Sequence, residues 1–245
     1  MKSYQSKIIA NLTKITQNEN SKIDEAINLL IQAQLNKNSI FIFGASHAGI
    51  ISQEVFYRAG GLININPIFA NEVLVNNSPI TLTSKMEQLE GYGTLVFNSS
   101  KIKSNDILIL HSVSGRNPII IDMALEARKN GIKIISITNL KYSKSVSSRH
   151  SCKKNLYELS DIVIDTHGEI GDAVCELPNN KQLVGPASTI ASCFIMNTII
   201  SEVAIELCKI NPDNVPVFYS ANLDNTAEEN KRLVSLYKDT IHYEF

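Results

Sequence analysis

The stretch Asp106-Ile-Leu-Ile-Leu-His-Ser-Val-Ser-Gly-Arg-Asn-Pro118 constrains this chain more than any other. Ile107 to Leu110 form a short continuous apolar run, the pattern of a strand that a parallel sheet buries on both faces. Ser112, Ser114 and Gly115 follow at once, adding two hydroxyl donors and a residue free to take unusual backbone angles. Asn117 stands where an N-cap belongs, with Pro118 at the first helical position. The segment beyond places Ile120, Met123, Ala124 and Ala127 on one face and stops at Gly131. A strand therefore feeds a helix through a polar loop. The helix start brings free N–H groups and the positive end of its dipole to that loop, a junction built to hold an anion, most simply a phosphate. A capped turn without a ligand needs one polar side chain, and this loop offers several.

The same alternation runs through much of the chain. Apolar, β-branched runs at 39–43, 94–97, 133–138 and 161–165 read as further strands, and helical spacing over about 48–59, 118–130 and 152–159 separates most of them. Strands alternating with helices predict a parallel sheet with right-handed crossovers and helices on both faces. Such sheets bind ligands at the carboxyl ends of their strands, where the loops at 44–49, 111–117 and 138–150 all fall. Residues 4–36 read as one or two amphipathic helices, with Ile8, Leu12, Ile15, Ile23, Ala26, Leu29, Leu30 and Ala33 at helical spacing. Residues 62–92 show no strong element beyond a helix near 84–89. A Pro/Asn-containing segment at 211–224 precedes a last helix over about 226–237. No linker or repeat divides the sequence, so 1–245 is expected to form one domain.

Composition narrows the functions. Hydrophobic residues make up 44% of the 245 and the mean hydropathy is -0.02, as in globular proteins with a substantial core. The formal net charge of -1, without a basic block, gives no track for nucleic acid and no match to an anionic membrane surface. Cys152, Cys175, Cys193 and Cys208 show no C-x-x-C pairing or zinc spacing, so no metal and no cofactor is expected. Free thiols of this kind suit a reducing cytoplasm, and the first residues lack the apolar core of a signal peptide. The apolar run 190–207 is interrupted by Asn197, Ser201, Glu202 and Glu206, which makes it a buried helix and not a membrane span.

Phe43-Gly-Ala-Ser46, Ser112-Val-Ser-Gly-Arg-Asn117 and Ser136-Ile-Thr-Asn139, each after a predicted strand, resemble the SIS (sugar isomerase) domain. With Arg58-Ala-Gly-Gly61, Arg149-His150, Gly171-Asp-Ala173, Gly185-Pro-Ala-Ser-Thr189 and Ser220-Ala-Asn222 in this order, the chain is most similar to a little-characterised bacterial subfamily of stand-alone SIS proteins. The resemblance covers about residues 5–242. It implies an α/β fold, a three-layer αβα sandwich around a five-stranded parallel, flavodoxin-like sheet, with a sugar phosphate as ligand. It also implies a phosphate held by Ser112, Ser114, Gly115 and Asn117, where Asn117 replaces the family's usual final Ser or Thr, and a sugar touched by Gly44, Ser46 and His47. The glutaminase domain of glucosamine-6-phosphate synthase and the Gly-Thr-Ser-Gly-Arg-Leu loop of the N-acetylmuramic acid 6-phosphate etherases are both missing from this sequence.

Interconverting an aldose and a ketose phosphate needs a base for the proton α to the carbonyl and a donor to the carbonyl oxygen. Glu54, on the helix that starts at the sugar loop, is one candidate, set against an ordinary i, i+4 pair with Arg58. His150 is the other, read as lying in a mobile polar loop able to reach a neighbouring subunit's site, beside Arg149 as a clamp for an anion. Glu126 is a weaker suspect. Asp172, Ser188 and Thr189 are candidate sugar contacts, each with a turn or helix cap as its alternative, and His111 reads as a satisfied supporting histidine. The expected function is a hexose or amino-sugar phosphate isomerase working through an enediol(ate). The alternatives are an etherase-like lyase on an N-acetylated amino-sugar phosphate and a non-catalytic phosphosugar sensor. The apolar stripe of residues 8–33 exceeds what one sandwich needs, which predicts a homodimer or tetramer.

Overall fold

The computed structural model describes residues 2–244. Two N-terminal helices, α1 (Ser3–Asn18) and α2 (Asn20–Leu35), lead into β1 (Ile40–Gly44) and a 3-10 turn at Ser46–Gly49 that runs on as α3 (Ile50–Glu54). Then come β2 (Ile65–Pro67), α4 (Thr81–Glu87), α5 (Tyr92–Ser99), β3 (Ile107–His111), α6 (Pro118–Lys129), β4 (Lys133–Thr138), α7 (Leu140–Ser145) and β5 (Ile162–Asp165). A hairpin of β6 (Ala173–Glu176) and β7 (Leu183–Pro186), a long α8 (Ser188–Ile210) and α9 (Ala227–Leu236) complete the chain. The five-stranded sheet is parallel throughout, in the order β2-β1-β3-β4-β5.

Alternation along each strand divides the core between two helical layers. Ile40, Ile42, Ile107, Ile109, Ile135 and Ile137 face α2, α3 and α8, whereas Phe41, Phe43, Leu108, Leu110 and Ile134 face α5 and α6. Both faces are thus covered, as expected for a parallel sheet. The carboxyl ends of β1 and β3 sit side by side, with Gly44 opposite His111, so their following loops emerge together. That adjacency creates the site. α8 is long and apolar enough to cross a membrane, but Ala191, Ile195, Met196, Ile199, Ile200 and Val203 on its inward face are core residues packed with α2.

Several expectations need correction. Residues 94–97 form part of α5 and not a strand. A short apolar run carries no reliable period, and here Phe97 and Gly93 turn inward against α6. The fifth strand is β2, only three residues long and ending at Pro67, which an edge position tolerates. The helix expected over 48–59 ends at Glu54, because the chain turns through Tyr57 at φ 42°. Only a 3-10 turn, Leu156–Glu158, stands within 152–159. Most of the stripe of residues 8–33 packs inside the chain: Ile15, Ile23, Ala26, Leu30 and Ala33 lie against the sheet and α8, while Leu12 and Leu29 stay partly exposed.

Candidate functional site

The β3–α6 loop is fixed from behind. Thr138 Oγ1 donates to the carbonyls of Ser112 (2.7 Å) and Val113 (3.2 Å), Asn139 N–H donates to Val113 O (3.0 Å), and Arg149 N–H donates to Arg116 O (2.9 Å). Gly115 takes φ 61° with its N–H on Ser112 Oγ, and a Cβ there would stand 3.1 Å from Ser143 Oγ in a conformation other residues resist. With the carbonyls of Ser112, Val113 and Arg116 engaged behind it, the loop leads directly into the start of α6. There the first N–H groups have no partner within the helix, and Asn117 makes no side-chain cap. Arg116 keeps its Nε buried and without a hydrogen-bond partner among the described residues. A buried, unsatisfied guanidinium nitrogen at a helix N-terminus favours an anion twice over, by donation and by charge.

Asn117 turns its amide away from its own helix. Its Nδ2 donates to Glu87 Oε2 at 2.6 Å, and its Oδ1 accepts from Arg149 Nη1 at 2.9 Å. Glu87, the last residue of α4, also accepts a hydrogen bond from Ser46, in the loop after β1. Ser46 itself holds φ 56°, a strained angle for a residue with a side chain, and Gly44 before it has no room for a Cβ beside the Ala48 carbonyl. Burial pushes the Glu87 carboxyl above its ordinary value, against the opposing pull of Asn117, Ser46, Arg149 and His47. Both loops therefore meet at one half-buried carboxyl group that holds its proton more tightly than a surface glutamate does.

Glu87 and Arg116 escaped the sequence reading. Glu87 lies in the weakly patterned region 62–92 and gains its environment only from tertiary contact. Arg116 stood inside the loop whose hydroxyls were singled out, and its charge was the available signal.

The remaining candidates sit as follows. Arg149 joins the site through Asn117, and His47 is exposed in the β1 loop within electrostatic reach of Glu87. Glu54 bonds Arg58 and accepts from Asn197 Nδ2 at 3.1 Å, on the α3–α8 side, with no hydrogen bond to the β3–α6 loop. His150 is buried and not in a mobile loop. Its Nδ1 accepts from Cys152 N–H at 3.0 Å and its Nε2 lies 3.0 Å from Asp122 Oδ1, so both ring nitrogens are engaged and the reach toward a neighbouring subunit is gone. Asp172 caps α8, accepting from Ser188 N–H (2.8 Å), Ser188 Oγ (2.7 Å) and Ala187 N–H (3.2 Å), which gives Asp172 and Ser188 a structural partner in place of the expected sugar contacts. Thr189 is half-buried in the same first turn. Glu126 lies on the third turn of α6, 3.5 Å from Lys129.

His111 is fully buried between loop and helix. Its Nδ1 donates to Ala48 O (2.8 Å) and its Nε2 accepts from Ser192 Oγ (2.8 Å), so the ring is neutral. Burial lowers its pKa to about 4, which suits a brace and not a proton carrier. Among the described residues no cluster of three or more His, Cys, Asp or Glu side chains is arranged to hold a metal ion.

Comparison with known proteins agrees with this architecture. A family model described as SIS domain matches residues 3–139. A UPF0309 protein from Oceanobacillus iheyensis is 47% identical over 243 residues, covering 99% of this chain and 98% of its own length. Another from Shouchella clausii is 47% identical over 236 residues, covering 96% of each. Among solved structures, a phosphoheptose isomerase from Francisella tularensis aligns with a TM-score of 0.54 at 15% identity, over 82% of this chain and 94% of that one. A phosphoheptose isomerase from Neisseria gonorrhoeae gives 0.51 at 13% identity, over 81% and 93%. At these identities the likeness to solved structures is one of fold.

Proposed function

This chain belongs to the SIS-domain family, and from that premise we propose that it is a sugar-phosphate aldose–ketose isomerase with Glu87 as its proton-transfer group. The observation that carries the reading is the position of Glu87. One carboxyl group with a raised pKa accepts from Asn117 at the phosphate loop and from Ser46 at the sugar loop. The phosphate is assigned to the start of α6, held by Ser112, Ser114, the Gly115 backbone and Arg116. The sugar extends toward Ser46 and His47, with Arg149 at the edge of the phosphate. The two phosphoheptose isomerases of similar fold fit such a substrate class.

The chemistry then balances without a redox partner. Glu87 takes the proton from C2 of the aldose, the C1=C2 double bond forms, and O1 gains a proton from a donor such as His47. The enediol gives its O2 proton back to that same donor, which restores it, C2=O forms, and Glu87 returns its proton to C1. A carboxylate whose pKa lies closer to neutral both accepts and returns a proton readily.

A thermal-shift panel of pentose, hexose, heptose and amino-sugar phosphates identifies the ligand, since a binder at 100 times its Kd adds about 2.7 kcal/mol of stability. Incubation of that ligand in D2O should then place deuterium on the carbon next to the carbonyl and yield the isomeric ketose. Exchange with expulsion of a substituent indicates the lyase, and tight binding without exchange indicates a sensor; either overturns the isomerase. Absence of stabilisation by every sugar phosphate overturns the ligand class.

A further inference from the structure

Behind the meeting point of Glu87, Asn117 and Arg149 lies a second polar cluster, built from the same three segments. Asp122, on α6 five residues after Asn117, is buried. Its Oδ2 accepts from the N–H groups of Gly91 (2.7 Å) and Gly93 (3.1 Å), at the start of α5, whose own N-cap Gly91 has no side chain to supply. Its Oδ1 accepts from His150 Nε2 at 3.0 Å. Because His150 Nδ1 accepts from Cys152 N–H, the ring proton is fixed on Nε2 and points at Asp122. Glu90 closes the other side, accepting from Ser151 N–H at 2.9 Å and from the Ser151 hydroxyl, with Oε1 3.5 Å from His150 Nε2.

Each segment therefore gives one residue to the site and a neighbour to this cluster. The end of α4 supplies Glu87, and the connection to α5 then supplies Glu90 with Gly91. Helix α6 supplies Asn117 and then Asp122, and the loop after α7 supplies Arg149 and then His150 with Ser151. We propose that Asp122, His150 and Glu90 form a clamp that positions the Glu87 carboxyl against Asn117 and Arg149, with His150 acting as a positioning residue that does not itself transfer a proton. A carboxylate with three hydrogen bonds from Gly91, Gly93 and His150 on its two oxygens, or a histidine with both nitrogens engaged, is occupied within the protein, and it fixes three chain segments in one register. The inference rests on Glu87 being the working carboxyl of the site.

The clamp is tested without any sugar phosphate. The side-chain carboxyl carbon of Glu87, assigned by its disappearance in Glu87→Gln, is titrated by NMR in the wild-type protein, His150→Gln, Asp122→Asn and Glu90→Ala. The groups facing Glu87, namely Ser46, His47, Asn117 and Arg149, are unchanged in every variant. The wild-type midpoint should stand above the ordinary carboxylate value of 4.5, and release of the clamp should let the carboxyl swing into water and bring the midpoint down toward it. Glu90 is exposed, so Glu90→Ala keeps the fold even if changes at the buried Asp122 or His150 do not, and it then decides alone. A Glu87 midpoint unmoved in folded Glu90→Ala or His150→Gln overturns the clamp. Absence of deuterium exchange by the wild-type protein would instead remove the base role of Glu87 and leave this titration standing.

Discussion

Helices α6 and α8 both begin in turns that combine proline with serine, yet their first turns are completed in opposite ways. At α8 the protein supplies its own anion: the Asp172 carboxylate, from the segment before β6, takes the N–H groups of Ala187 and Ser188 and the Ser188 hydroxyl. At α6, among the described residues, no carboxylate takes the first backbone N–H groups, and the Glu87 carboxyl stops at the Asn117 side chain. Asn117 turns outward to Glu87 and Arg149, and Arg116 is left with a buried, unpartnered Nε. A helix start left without an internal anion is free to take one from solution, because the same dipole that favours a phosphate is otherwise satisfied by an internal carboxylate.

The largest expected effect breaks the α6 side of this comparison. Glu87→Gln keeps the shape and one acceptor oxygen for Asn117 but cannot accept a proton, so turnover should fall roughly 10²- to 10⁴-fold while sugar-phosphate binding survives. The same variant should raise the melting temperature at neutral pH. A folded pKa above the unfolded one means that the charged form is penalised in the folded state, so the glutamate loses stability as pH rises through its folded pKa, and glutamine escapes that loss. Below the ordinary carboxylate pKa the two proteins should melt alike.

Next comes His111, which ties the β1 loop to α8 through Ala48 and Ser192. Its folded pKa of about 4 lies below the ordinary 6.5, so its contribution is complete above pH 6.5 and is lost as pH falls through 4. The difference amounts to about 3 kcal/mol. Urea unfolding midpoints should drop over that window in the wild-type protein and drop less in His111→Gln.

Smaller effects separate the two helix starts directly. Ser114→Ala should weaken sugar-phosphate binding about tenfold, for loss of one donor to a charged acceptor, with little change in stability. Asp172→Ala should do the reverse, lowering stability by about 1 kcal/mol, as for a lost N-cap, and leaving affinity unchanged. Calorimetric titration and denaturant unfolding of both variants check the pair.

Much of this was legible in the sequence where local pattern and tertiary outcome coincide. The run at Ile107–Leu110, the Ser/Gly turn and Asn117-Pro118 gave strand, loop and helix start in their observed order, since burial on both faces and helix entry are written in adjacent residues. β2 was invisible because three residues with a central Asn carry no period. The Ser188 hydroxyl looked the same as Ser114, since the Asp172 carboxylate that satisfies it lies 16 residues earlier and meets it only in the fold. His150 read as mobile for the same reason: its partner Asp122 is 28 residues away. Glu87 stands 30 residues before Asn117, and no local rule relates them.

The most direct test of the account is an amide NMR titration of the wild-type protein with inorganic phosphate. An anion held at the start of α6 should move the N–H resonances of Ser114, Gly115, Arg116, Ile119 and Ile120 along one saturating curve, while those of Asp172, Ser188 and Thr189 stay in place. Saturable shifts at the start of α8 with none at Ser114 to Ile120 would contradict it.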